Sequence, residues 1–335
     1  MPSNPSRRRR DHDRVSVMTV NKSLSKRVSL GVTKKNNFSK ILQMKKLPLF
    51  MLFVLFYSSV VHSQNRGVIE RAEPVIYAIT SDGKLNWYKH IGYTADIETR
   101  DEESVNSEGT YGFEVELMKM LGAKTVGTGG WQYYKFAFSN RTTIYGVTAD
   151  GNLNWYKHTG GEAGTTEMEG AVAIGIGGWQ SYKLVFAGGN GIIYAITTNG
   201  NLNWYKHTGA STGSTEMQGA ITIGSGGWQH YKSVFTSGNG IIYAITPDGN
   251  LNWYKHSGYL TGTDEMEGAI TIDRSGNWGN YKFVFAYEDI IYAISNAGNL
   301  YFYRYPGYQT GRGKMSRYLI GKGGWNNYLK VFSGR

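Results

Sequence analysis

The sequence predicts an all-β protein built from one antiparallel unit copied five times, and three observations carry that reading. The pair Ile-Tyr recurs at Ile76-Tyr77, Ile144-Tyr145, Ile193-Tyr194, Ile242-Tyr243 and Ile291-Tyr292, with intervals of 68, 49, 49 and 49 residues. A second marker recurs independently as Trp131, Trp179, Trp228, Trp278 and Trp325. Each copy reads as four short strand-like segments with no helical period. Four-stranded units of about 40–50 residues are the signature of β-propeller blades. Five copies predict a closed five-bladed β-propeller over residues 75–335.

The repeat Gly191 to Phe235 shows why each segment reads as a strand. Ile192 to Ile196 is β-branched and aromatic, and Asn199-Gly200 follows it as a hairpin turn. Leu202 to His207 alternates as a second strand. After a Gly/Ser/Thr-rich loop, Glu216-Met217-Gln218-Gly219 leads into a third strand expected at Ala220 to Ile223. Gly224 to Gly227 is a turn, and Tyr231 to Phe235 is the fourth strand. The apolar strand residues are expected to fill the space between blades. Trp87, Trp155, Trp204 and Trp253, with Phe302 in the last repeat, read as core. The indoles of Trp179 and its equivalents are expected to wedge against the neighbouring blade, and they are also candidates for direct ligand contact.

Two repeats depart from the pattern. In the first, His90 and Met120 are 30 residues apart, whereas His158 and Met168 are 10 apart. The added residues form an acidic insertion at about 94–119, read as a solvated surface excursion. In the last repeat, Tyr301-Phe302-Tyr303-Arg304-Tyr305 replaces Asn-Trp-Tyr-Lys-His, and Thr310 to Arg317 is basic. The chain then runs only four residues past Val331, so the fourth strand of the last repeat is expected to lie beside the first repeat's strands and close the ring.

Composition narrows the function. The chain has 335 residues and a formal net charge of +11, but 13 of its 36 basic and 2 of its 25 acidic residues lie in 1–63. The remaining 272 residues hold 23 of each sign, which gives no reason to expect nucleic-acid binding. The absence of cysteine excludes disulfides, thiolate catalysis and Cys-based zinc sites. From Met44, Lys45-Lys46 precede the apolar run Leu47 to Val61 and the small-residue step Val61-His62-Ser63, the pattern of a secretory signal peptide over 44–63. That run is short for a membrane span, so no span is expected in the mature protein and a signal-anchored form is the lesser alternative. Residues 1–43, with Arg7 to Arg10, read as a disordered basic arm or as a gene-model extension ahead of a start at Met44. Residues 64–74 read as a linker.

Two recurring features could carry chemistry. His90, His158, His207 and His256 end the second strand of four repeats. Equivalent positions around a ring are too far apart to share one ion, so loop capping or inter-blade hydrogen bonding is expected rather than a metal site. The second feature is Thr166-Glu167-Met168, Thr215-Glu216-Met217 and Asp264-Glu265-Met266, at the junction of a polar loop and a strand. A carboxylate can accept two sugar hydroxyls while an apolar face covers the ring. The bland alternative is a solvated glutamate with a gap-filling methionine. Gly209 to Gly213 matches a nucleophile-elbow string, but no helix follows and it occurs once, so it carries no catalysis. A pattern copied several times favours a multivalent binding protein over an enzyme, and no cofactor is implied.

The run Ile-Gly-x-Gly-Gly-Trp-x-x-Tyr-Lys-x-Val-Phe followed by Ile-Tyr-Ala-Ile resembles the tachylectin family of five-bladed propeller lectins, over Val75 to Phe332. The resemblance implies a glycan-binding protein with one shallow site per blade for N-acetylated amino sugars such as N-acetylglucosamine. The family's Asp-Asn-Trp step has no counterpart, because Thr-Glu-Met or Asp-Glu-Met stands in its place. The expected carbohydrate-binding residues are therefore Thr166, Glu167, Trp179, Thr215, Glu216, Trp228, Asp264, Glu265 and Trp278. The expected function is a secreted, non-catalytic lectin, and the alternative is a protein-interaction propeller without sugar binding.

Overall fold

The inner strands of the ring owe their burial to being covered on both faces. Strand Ile192–Ile196 is buried at all five positions, whereas the following strand Leu202–His207 alternates between buried and half-buried residues. The computed structural model describes residues 72–92 and 119–334, which fall within one compact unit, Ile69–Arg335. The basic stretch 1–43, the expected signal peptide 44–63 and nearly all of the expected acidic insertion lie outside the described residues.

Among the described residues, twenty strands form five four-stranded antiparallel sheets. Blade 1 contains β1 (Val75–Ile79), β2 (Leu85–Ile91) and β3 (Lys119–Gly127). Blade 2 contains β4 (Phe136–Asn140), β5 (Thr143–Val147), β6 (Leu153–His158) and β7 (Met168–Gly175). Blade 3 contains β8 (Leu184–Gly189), β9 (Ile192–Ile196), β10 (Leu202–His207) and β11 (Met217–Gly224). Blade 4 contains β12 (Ser233–Gly238), β13 (Ile241–Ile245), β14 (Leu251–His256) and β15 (Met266–Asp273). Blade 5 contains β16 (Tyr281–Tyr287), β17 (Ile290–Ser295), β18 (Leu300–Arg304) and β19 (Ser316–Gly321). The final strand β20 (Lys330–Ser333) returns to blade 1 and pairs with β1, setting Tyr77 opposite Phe332 and Ala78 opposite Val331. The expected closure is therefore observed.

The structure refines the repeat in two ways. The fourth strand of each sequence repeat is the first, innermost strand of the next blade, and the five innermost strands β4, β8, β12, β16 and β20 pack side by side around the axis. The third strand begins at Met217 rather than Ala220, because Met217 pairs with His207. A register shift between Trp204 and Lys206 then accommodates the extra residue. The glycine there has φ +120°, and a Cβ on Gly219 would come within 2.7 Å of the Trp204 carbonyl oxygen, so only glycine fits this bulge.

The core lies between sheets. Phe186, Tyr194, Trp204 and Trp228 of one blade region pack with Val234, Ile242 and Ala244 of the next, and the other four junctions repeat the scheme. A fully buried aliphatic side chain such as Ile242 contributes about 1.5–3 kcal/mol. Trp87, Trp155, Trp204 and Trp253 are buried as expected, and each indole N–H donates to a carbonyl oxygen in the next blade's loop, those of Gly161, Ala210, Tyr259 and Tyr308, at 2.7–3.0 Å.

Candidate functional site

Each strand pair ends at one of two faces of the ring, and those faces carry different chemistry. On one face lie the β2-type strand ends, with His90, His158, His207 and His256. The Tyr145 hydroxyl of blade 2 lies 3.0 Å from His207 Nδ1 in blade 3, while His207 Nε2 lies 2.6 Å from the Ser214 carbonyl oxygen. The pairs Tyr77–His158, Tyr194–His256 and Tyr292–His90 repeat this contact at 2.7–2.8 Å. His158, His207 and His256 thus cap their own loops, and all four histidines join neighbouring blades. Among the described residues no three His, Cys, Asp or Glu side chains converge to hold a metal.

Thr166-Glu167, Thr215-Glu216 and Asp264-Glu265 sit on this same face, exposed, immediately before β7, β11 and β15. Each glutamate is held below the usual carboxylate range mainly by a hydroxyl two residues back, that of Thr165, Ser214 or Thr263. Met168, Met217 and Met266 fold inward against the core. Around the axis on this face, the turns between first and second strands enclose a cavity of about 330 Å³, lined by Arg141, Asn190, Asn239 and Glu288 among others.

Trp179, Trp228 and Trp278 lie on the opposite face. Each follows the outermost strand that its Thr-Glu or Asp-Glu step precedes, and that strand has eight residues. At about 3.3 Å per residue the two groups are separated by more than 20 Å. The structure therefore does not bring the expected glutamates and tryptophans into one pocket; the intervening strand forbids it.

Around each tryptophan the sequence builds an aromatic cleft between two blades. Gly178 adopts φ 87° and starts a single 3-10 turn at Trp179–Ser181, which turns the indole back into the blade junction. The Trp179 ring packs 4.7 Å from Tyr205 and 5.8 Å from Tyr182, centroid to centroid, and the two tyrosine hydroxyls hydrogen-bond each other. Trp131 with Tyr134 and Tyr156, Trp228 with Tyr231 and Tyr254, Trp278 with Tyr281 and Tyr303, and Trp325 with Tyr328 and Tyr88 repeat the triad. Burial, reinforced by the facing hydroxyl, pushes the inner phenols Tyr88, Tyr156, Tyr205, Tyr254 and Tyr303 well above the ordinary tyrosine range, so they remain neutral donors. The expected wedging of the indoles is observed, with Trp179 and Trp228 each 8% exposed.

The indole nitrogen points over a glycine. A Cβ on Gly127, Gly175, Gly224 or Gly321 would lie 2.3–2.5 Å from Nε1 of Trp131, Trp179, Trp228 or Trp325. Among the described residues these four indole N–H groups have no protein acceptor. In blade 4 the equivalent residue is Asp273, whose carboxylate accepts from Trp278 Nε1 at 2.9 Å and from the Ser275 backbone N–H at 2.8 Å. The inner tyrosines, a detail the sequence reading missed, were signalled by the invariant Tyr-Lys after each core tryptophan and the Tyr three residues after each cleft tryptophan. Indole and phenol donors beside apolar rings suit a ligand that offers hydroxyl and amide groups with an apolar face.

The Tachylectin family model matches residues 116–222 and 203–335. No curated protein sequence matches the chain. Among solved structures, Prp20p from Saccharomyces cerevisiae, described with its binding to Gsp1p and histones, is 12% identical over 75% of this chain and 61% of its own length, with a TM-score of 0.32. The computationally designed Ika4 protein is 13% identical over 60% of this chain and 100% of its own, with a TM-score of 0.29. PorZ, a surface component of the type-IX secretion system of Porphyromonas gingivalis, is 11% identical over 73% of this chain and 30% of its own, with a TM-score of 0.32. The chain thus spans 61% of the length of Prp20p. The family match covers two overlapping stretches that together run from residue 116 to residue 335, and the blades, the Gly-Gly-Trp turns and the five-fold closure agree with it: the chain belongs to the Tachylectin family.

Proposed function

We propose that this protein is a secreted, non-catalytic lectin that binds saccharides in the clefts between blades. The observation that carries the reading is the repeated cleft floor, where an indole N–H without a protein acceptor sits beside a hydrogen-bonded tyrosine pair. A sugar hydroxyl or the acetamido oxygen of an N-acetylated amino sugar accepts from that N–H, and the apolar face of the pyranose lies against the rings. Family membership supports a carbohydrate ligand, and the leader from Met44 supports export. Several weak sites on one rigid ring give avidity toward a surface that displays many copies of the sugar.

Calorimetric titration of the purified protein with N-acetylglucosamine tests the reading. Several equivalent sites per chain are expected. Trp179→Phe with Trp228→Phe, which keeps the rings and removes the donors, lowers the stoichiometry. Replacing Glu167, Glu216 and Glu265 together by Ala leaves binding unchanged, because those carboxylates lie on the other face. Absence of saccharide binding by the folded protein, or loss of binding only in the glutamate variant, would sink the proposal.

A further inference from the structure

The cleft between blades 4 and 5 is not a copy of the others. It forms a cavity of about 520 Å³ whose walls include Asp273 and Trp278 from blade 4 and Tyr281, Tyr301, Tyr303 and Arg317 from blade 5. Arg317 stands opposite Tyr303, whereas in blade 2 the residue opposite the equivalent Tyr156 is the bulge glycine Gly170. Blade 5 has lost the bulge at this point, so a side chain fits where glycine was required. The Arg317 guanidinium lies 5.2 Å from the centroid of the Tyr301 ring and beside the Tyr281 and Tyr303 hydroxyls. Tyr301 itself replaces the asparagine found at 154, 203 and 252.

Among the described residues no carboxylate pairs with Arg317. Asp273, on the opposite wall, has both oxygens engaged, one by the Trp278 indole N–H and one by the Ser275 amide. The cavity thus holds a cation set against an aromatic ring, bordered by phenol donors and not paired with the Asp273 carboxylate across from it. A planar guanidinium in such a frame matches a carboxylate with two parallel hydrogen bonds.

We propose that this cleft binds an acidic saccharide, a uronic or sialic acid whose carboxylate pairs with Arg317, while the other four clefts bind uncharged sugar. The proposal rests on the saccharide reading of the clefts and assigns one of them a different ligand class. The uronic acid ring lies between the Tyr301 and Trp278 sides, with its hydroxyls facing the tyrosine pair and Asp273. Attraction by a single exposed arginine is screened by salt, so acidic-ligand affinity falls with ionic strength and neutral-ligand affinity does not.

Calorimetry with methyl glucuronide and N-acetylneuraminic acid, against methyl glucoside and N-acetylglucosamine, tests it. At least one acid is expected to bind at one site per chain, about ten- to a hundredfold more tightly than methyl glucoside, the range for hydrogen bonds to a charged group. Arg317→Gln removes that preference without changing N-acetylglucosamine binding, and Arg317→Lys retains part of it. The exposed position of Arg317 on the outer strand leaves the fold intact, which the unfolding midpoint checks. Should acid and neutral sugars bind alike, or the preference survive Arg317→Gln, while N-acetylglucosamine still binds, the acidic site is overturned and the lectin reading stands. One Arg317-dependent acid site without N-acetylglucosamine binding supports the acidic site and overturns the multi-site reading. No binding of any of the four overturns both.

Discussion

Tyr194 and His256 tie blade 3 to blade 4: the phenol lies 2.8 Å from Nδ1, and Nε2 lies 2.5 Å from the Thr263 carbonyl oxygen. A carbonyl can only accept, so Nε2 carries the proton and Nδ1 accepts from the phenol. The same relay joins blade 1 to blade 2 and blade 2 to blade 3, and the Tyr292–His90 contact joins blade 5 to blade 1. At the fifth, between blades 4 and 5, Tyr305 stands where histidine would, and among the described residues the buried hydroxyls of Tyr243, Tyr305 and Ser237 find no well-aligned hydrogen-bond partner, although that of Ser237 faces Tyr243.

This contrast predicts different responses to one atom's removal. Tyr194→Phe leaves His256 Nδ1 unpaired and costs about 1–3 kcal/mol, whereas Tyr243→Phe is close to neutral because its hydroxyl lacks a well-aligned partner. Tyr305→His restores the relay with Tyr243 and raises stability by about 1 kcal/mol. Urea unfolding of the three variants checks the order.

Burial pushes His90 down to about 4, and burial also lowers His158, His207 and His256. Above the ordinary histidine range of about 6.5, folded and unfolded chains both hold neutral imidazole and this contribution to stability is complete. As pH falls the unfolded chain takes up protons first, so stability declines from about 6.5 until the folded groups also protonate. For His90 that window closes near pH 4, and its share amounts to about 3 kcal/mol. Thermal unfolding at pH 7, 5.5 and 4.5 should show the decline, and His90→Gln should make it shallower.

Gly224 lies under the Trp228 indole, and a Cβ there would meet Nε1 at 2.5 Å. Gly224→Ala therefore pushes the ring out of its cleft, costs about 1–3 kcal/mol and shifts tryptophan emission. The equivalent position in blade 4 already carries a side chain, Asp273, so Asp273→Ala keeps the fold and shifts the emission of Trp278 through loss of its carboxylate partner.

Phe332 pairs across from Tyr77, is 7% exposed, and its ring packs 5.7 Å from that of Tyr77. Phe332→Ala is expected to cost about 3–5 kcal/mol. Deleting residues 330–335 leaves β1 unpaired on its inner side and abolishes the single cooperative transition in calorimetry.

The five-fold architecture was legible because Trp recurs at nearly constant spacing and Ile-Tyr does so after the first repeat's insertion, and both markers prove to be core. The Tyr–His relay was half legible: the histidines announced an inter-blade role, but their tyrosine partners sit 62 residues or more away in sequence. Counting the eight residues of Met217–Gly224 would have separated Glu216 from Trp228, since a strand cannot fold back within that length. The Arg317 cleft was not legible, because it depends on the missing bulge opposite Tyr303, and register is a property of paired strands rather than of either alone.

The pairing of β1 with β20 also sets the order of events during synthesis. Each middle blade is complete as soon as its four consecutive strands have left the ribosome, so blades 2 to 5 can assemble on the nascent chain one after another. Blade 1 must hold three strands with an open inner edge until residues 330–333 have been translated. An exposed strand edge is where wrong partners add. The first-made part of the ring is thus the last to be secured, and throughout elongation it is the part that most needs protection from pairing with another chain.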